Sequence, residues 1–135
     1  MKSITLKRVV VVLAVQWGYP GDTVARWFHI NPYNHSGRRL IRLIGHGAFK
    51  VTNACPDIVY RADQQGTPDE AWLRHNLKSL RPAVVLVCGR VAQATFERGM
   101  VPAGTKVFKL PHPAARTWTK QMIEQWSRRI QRAVA

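Results

Sequence analysis

Acidic residues are scarce in this chain: 7 Asp and Glu stand against 21 Lys and Arg over 135 residues, which leaves a formal net charge of +14 and a pI near 11.1. That imbalance is large for so small a domain. It creates a field that draws in polyanions, nucleic acid first among them, although a merely solvated basic surface is the plainer alternative. Cysteine is scarcer still, with only Cys55 and Cys88 and no Cys-x-x-Cys pair. This excludes a disulfide framework and a cysteine-rich metal centre, and free thiols in a reducing compartment are expected, with Cys88 buried at a strand end. Long apolar runs are also missing. Residues 9–15 follow Lys7-Arg8 much as the core of a signal peptide does, but no small-x-small cleavage site accompanies them. The run falls far short of the roughly 18 apolar residues of a membrane span. A cytoplasmic protein that does not engage a membrane is expected.

What the chain does contain is enough apolar material, 46% of its residues, for one domain with a real core. A single domain over 1–135 is expected, without internal repeat or low-complexity linker. Residues 9–15 are dominated by valine, the mark of a strand covered on both faces. Ser36 is placed to cap a helix over 38–44 that stops at Gly45, and 49–53 reads as the next strand. Thr67-Pro68-Asp69-Glu70 combines an N-cap, a proline at the first helical position and a capping-box glutamate. Leu73, Leu77 and Leu80 give that helix a buried stripe before Arg81-Pro82 ends it. Residues 83–88 form a buried strand, 91–98 a short helix and 105–110 the last strand. A basic helix then follows, with Trp118, Met122, Trp126 and Ile130 as its core stripe. Alternation of this kind predicts an α/β fold with a largely parallel sheet.

Four polar or small-residue signatures punctuate these elements in order. Gly18-Tyr19-Pro20-Gly21 follows the first apolar run, Pro32-Tyr33 leads into Ser36-Gly37-Arg38, Thr52-Asn53 closes a strand, and His112-Pro113 follows the last one. Polar residues at strand ends are delivered to the carboxyl edge of a sheet, where open α/β folds bind ligands. Singly, each has a structural alternative. Asn53 serves equally as a turn cap, His112 as a satisfied histidine before a proline-fixed bend, Tyr33 as core, and Pro20-Gly21 as an ordinary turn.

Taken together, the signatures resemble the uracil-DNA glycosylase superfamily. The resemblance runs through Thr67-Pro68-Asp69-Glu70, Leu80-Arg81-Pro82, Gly89-Arg90-Val91-Ala92 and Leu110-Pro111-His112-Pro113, with Val51-Thr52-Asn53 as the family's strand-end Thr-Asn. Gly21, Pro32-Tyr33, Ser36-Gly37-Arg38 and Leu40 are similar to the iron–sulfur branch. This implies a three-layer sandwich around a central, largely parallel four-stranded sheet. It also implies DNA as partner and a flipped base that is read on its Watson–Crick edge and cut from its sugar. Asn53 would pair with the base, and His112 would donate to the base oxygen as charge accumulates there. Tyr33 would stack on the base, and Tyr19 would flank it within the first signature, which faces the sugar and the attacking water. Arg38, Arg116 and Lys120 would hold phosphates.

The departures from the family are as informative. Gly18 stands where the iron–sulfur branch has Glu, and Tyr19 where other branches have Asp or Asn, so Asp22 is the nearest carboxylate able to act as a base. Aligning Asn31-Pro32-Tyr33 as the first signature instead would give Asn31 the water. No cysteine precedes the first strand, and only Cys55 falls near a cluster-ligand region, so no metal and no organic cofactor are expected. A monomer is expected. Two functions follow: a compact DNA N-glycosylase acting on uracil or another altered base, and a non-catalytic DNA-binding protein that keeps the fold.

Overall fold

The computed structural model describes residues 9–17, 35–45, 49–59 and 66–134. Its strands are β1 (Val9–Leu13), β2 (Gln16–Trp17), β3 (Lys50–Asn53), β4 (Ile58–Val59), β5 (Val84–Cys88) and β6 (Lys106–Leu110). Its helices are α1 (His35–Ile44), α2 (Glu70–Leu80), α3 (Arg90–Thr95) and α4 (Lys120–Val134), with a short 3-10 turn at Arg98–Met100.

Every residue of β1 (VVVVL) and β5 (VVLVC) is buried, because these strands are central and have protein on both faces. They pair in parallel, Val9 opposite Val84 through Val12 opposite Val87. The outer strands complete an all-parallel sheet in the order β3-β1-β5-β6. Lys50 on β3 and Lys106 and Lys109 on β6 are exposed, and charge of this kind discourages edge-to-edge pairing with another sheet. Beyond the carboxyl ends of β1 and β3 the chains stay together. Ala54 N–H bonds the Leu13 carbonyl at 2.7 Å, Cys55 N–H the Ala14 carbonyl at 2.9 Å, and β2 and β4 then form their own two-stranded parallel sheet.

Side-chain alternation divides the core into two layers. Val9, Val11, Leu13, Val51, Val84, Leu86 and Leu110 pack against Leu40 and Leu43 of α1 and Ile123 and Ile130 of α4. On the other face Val10, Val12, Val85 and Val87 meet Leu73 and Leu77 of α2 and Ala92 of α3. This is the expected three-layer sandwich, with the sheet parallel throughout. No helix among the described residues is long and apolar enough to cross a membrane.

The expected elements form, with shifts at their ends. α1 begins at His35, so Ser36 lies inside the helix instead of capping it, while Gly45 (φ +97) stops it and donates to the Ile41 carbonyl at 2.7 Å. α2 is capped two residues later than the sequence implied. Asp69 is the N-cap and accepts from Trp72 N–H at 3.0 Å, whereas Thr67 donates its N–H to Asp57 Oδ2 at 2.6 Å. An ionised Asp suits this position better than Thr because it also meets the positive end of the helix dipole. Arg81, in the left-handed region at φ 46, closes the helix. The helix expected over 91–98 stops at Thr95, and Trp118 lies just before α4, buried in the α1/α4 layer. Asp69→Ala should lower stability by about 1 kcal/mol, the usual effect of deleting a cap. Urea unfolding checks this, and an unchanged midpoint would show that the cap is redundant with the α2 core contacts.

Candidate functional site

The sheet order sends the chain from β1 through α1 to β3 on one side, then back across β1 through α2 to β5. The reversal opens a crevice at the carboxyl ends of β1 and β5, the position where doubly wound sheets bind ligands. Asn53 ends β3 beside this crevice, in register with Leu13 and on the α1/α4 face. The sequence expects His112 just past the outermost strand. His112 follows the end of β6 as expected, and it also lies against the end of β5, where a Cβ built on Gly89 would be 3.3 Å from the His112 Cβ. Gly89 (φ +90) is therefore fixed both by its backbone conformation and by this close approach. Two strand spacings, about 10 Å, separate the ends of β5 and β3.

The His-Pro turn is fastened from several directions. Leu110 O accepts from Gly89 N–H (2.9 Å) and Gln93 Nε2 (2.8 Å), and His112 O accepts from Ala115 N–H (2.9 Å) and Trp118 Nε1 (2.9 Å). From α1, Arg39 Nη1 donates to both the Pro113 and Ala115 carbonyls at 2.9 Å. Sequence reasoning gave Arg38 to DNA and Trp118 to the core, and it missed Arg39 and Gln93 as anchors of this turn. A signal for Arg39 existed: it precedes Leu43 by four residues, so it stands on the rim of the buried stripe while Arg38 and Arg42 face outward.

Two features give this edge its chemistry. Asn53 is 1% exposed, and neither its Nδ2 nor its Oδ1 has a hydrogen-bond partner among the described residues. Thr52, one residue earlier, faces the opposite layer and accepts from Asn76 Nδ2 at 3.5 Å. The Asn53 amide is therefore not the turn cap that the sequence left open. His112 is half-buried, and burial holds its pKa below 6.5. Its Nδ1 accepts from Ala114 N–H at 3.0 Å. That bond favours the neutral ring and puts its proton on Nε2, a donor with no net charge.

An open cleft of ≈ 590 Å³ adjoins His112, within the usual range of about 300–1,000 Å³ for small-molecule sites. Exposed Arg90 and Lys109 are among its lining residues. Arg116, Lys120 and Arg38 are exposed on the His-Pro loop, the start of α4 and α1. Tyr19, Asp22 and Tyr33, with the whole Gly18-Tyr19-Pro20-Gly21 signature and Asn31, lie outside the described residues. Burial pushes the Cys88 thiol up to about 12, and burial followed by Asp57 raises Cys55, so neither free cysteine offers a nucleophilic thiolate.

The fold is that of an α/β protein with an all-parallel sheet, and its carboxyl edge carries an amide unpaired among the described residues and a histidine whose pKa is lowered by burial. The family model for the uracil DNA glycosylase superfamily matches residues 10–132, and the chain belongs to that superfamily. No curated protein matches it. The superfamily is one of DNA glycosylases, enzymes of DNA repair, and membership supports DNA as the class of partner.

Two measurements test this site. The depressed pKa of His112 means that the unfolded chain takes up a proton near pH 6.5 before the folded one does. Stability is therefore fully present above that pH and declines as the pH falls through it. Histidine NMR should show His112 neutral and protonated on Nε2 at pH 7, and an imidazolium there would contradict the burial argument. Asn53→Leu, which replaces the unmet amide with an apolar group of similar size, should raise stability by about 1–3 kcal/mol. A loss of stability in thermal or urea unfolding would show that the amide is satisfied.

Proposed function

We propose that the protein is a DNA N-glycosylase that flips uracil or another altered base out of DNA and hydrolyses its N-glycosidic bond. The observation that carries this reading is the buried amide of Asn53, with both polar atoms unmet among the described residues, at the same carboxyl edge of the sheet as a His112 ring whose Nδ1 accepts a hydrogen bond. An amide reads the donor–acceptor edge of a base directly. A buried amide also discriminates strongly, because a base lacking the complementary group leaves it unpaired.

Bond cleavage develops negative charge on the departing base and positive charge on the sugar. Interactions that strengthen as these charges grow lower the barrier. His112 donates from Nε2 to the base oxygen, and as a neutral donor it gains most when that oxygen becomes anionic. Its low pKa suits this role, since the ring hydrogen-bonds the leaving base without having to give up its proton. Tyr33 stacks on the base and Tyr19 flanks it. Asp22 takes the proton of the attacking water and offsets the charge of the sugar. Arg38, Arg116 and Lys120, together with Arg90 and Lys109 of the cleft, hold phosphates around the flipped nucleotide. Lys120 opens α4, where a cation opposes the helix dipole, so its charge serves an external anion better than the helix. The chemistry requires neither metal nor organic cofactor. A monomer in the cytoplasm suits this role.

Oligonucleotides carrying a panel of altered bases, incubated with protein in excess and then cleaved at abasic sites with alkali, test the proposal. Wild type should excise at least one base. Asn53→Ala and His112→Ala should each slow excision by roughly a hundred- to a thousandfold, the range for losing one transition-state donor. Asp22→Asn should nearly abolish it, and equal excision by that variant would move the water-orienting role to Asn31. Binding should weaken steeply with salt. Intact, salt-sensitive binding without excision of any base would leave a non-catalytic DNA-binding protein, the reading favoured by Gly18 and Tyr19 standing where the family has an acid or Asn.

A further inference from the structure

The few acidic residues are unevenly placed. Among the described residues Asp57, Asp69, Glu70 and Glu97 all fasten α2 or the segment leading into it, the last two by holding Arg74 at 3.6 and 3.0 Å. On the other face of the sheet, α1 carries three arginines and α4 one lysine and three arginines, against the single carboxylate Glu124.

On α4 this charge is ordered. Gln125, Arg128, Arg129 and Arg132 recur at the i, i+3, i+4, i+7 positions of one helical stripe, and with Trp126 they line a groove of ≈ 280 Å³. Trp126 is braced edge-on against Phe108 of β6, with ring centroids 6.1 Å apart, and the Arg129 guanidinium lies over its indole at 4.8 Å. Stacking of this kind holds the planar donor fork flat while its N–H groups remain available. Arg128 and Arg132, four residues apart, repel each other. Glu124 lines the neighbouring groove with Arg42 and Arg128, yet no carboxylate among the described residues comes within ion-pair distance of Arg128, Arg129 or Arg132. Glu124, four residues before Arg128, moderates this repulsion from one side only, and an external anion along the stripe relieves the rest.

The groove is remote from His112. At 1.5 Å per residue, Arg128 to Arg132 lie about 12–18 Å along α4 from its start at the His-Pro loop. There Gln131 Nε2 donates to the Ile44 carbonyl at the end of α1, towards the amino edge of the sheet, opposite the Asn53 crevice.

We propose that the α4 groove is a second DNA site, which takes the phosphate backbone of a segment other than the one whose base enters the Asn53 crevice. The inference rests on the glycosylase reading for the identity of the polyanion. Guanidinium forks match phosphate oxygens in pairs, and the groove offers three of them with no base-reading carboxylate or amide except Gln125. Two sites on opposite edges let one chain hold two DNA segments and pass between them without complete release.

The test uses short duplexes without an altered base, sedimentation to count duplexes per chain, and beads carrying one duplex to capture a second, labelled one. Wild type should bind two duplexes per chain and retain the labelled duplex. Combined Arg128→Gln, Arg129→Gln and Arg132→Gln should bind one and release it, with single-turnover excision unchanged. The double variant Arg128→Gln and Arg132→Gln, which spares the Trp126 stack, should lose most of the capture even if the triple variant folds poorly. Lysine at all three positions should restore part of it. His112→Ala should capture normally while failing to excise. One duplex per wild-type chain, or full capture by the glutamine variants, would overturn the second site and leave the glycosylase reading untouched. Capture without excision of any base would do the reverse.

Discussion

The parallel pairing of two completely buried strands, β1 against β5, is the constraint on which the rest of this molecule depends. Valine-rich strands with no polar face have to be covered on both sides, so the intervening chain is committed to helices above and below. Parallel pairing then forbids hairpins and requires crossovers, whose right-handedness puts α1 and α2 on opposite faces. All four strands of the main sheet consequently end at the same edge, and the reversal between β3 and β5 opens that edge into a crevice. The site is thus a consequence of how valine is buried.

At the carboxyl edge, the backbone is satisfied while side-chain polar atoms are left without partners among the described residues. The backbone of the His-Pro turn is saturated by Arg39, Gln93, Trp118 and Gly89, which leaves the His112 ring held by one hydrogen bond at Nδ1 and its Nε2 proton in reserve. Thr52 has its partner in Asn76, while Asn53, one residue on and facing the other layer, has none among the described residues. Leaving a buried amide unmet costs stability, and such costs persist where a ligand recovers them. Rigid support around a few unsatisfied groups is the physical form that recognition of a flipped base takes in the proposed activity.

Electrostatics divides the molecule along the sheet. Carboxylates on the α2 side are consumed in a cap, a turn and the Arg74 pair, so they do little to moderate the field of the α1/α4 side. Among the described residues the charge is therefore directional, and the face that carries most of it also carries α4, which leads away from the His112 loop.

By itself the sequence determined the element order and the parallel α/β class, because valine runs and a helix stop such as Gly45 act over a few residues, while the three-layer plan followed from the family resemblance. It also marked Asn53 and His112, since a polar residue at the end of an apolar strand is visible as a break in pattern. It misjudged local boundaries, as at Asp69 and Ser36, where neighbouring residues compete for one cap and the choice turns on which backbone geometry the packing allows. Only the tertiary structure decided that Asn53 has no partner among the described residues, that His112 lies against Gly89, and that Arg39 clamps the loop across 74 and 76 residues of chain. Hydrogen-bond satisfaction, burial and close approach are properties of atoms brought together from distant positions. No local pattern encodes them until the valine strands have set where every other residue must lie.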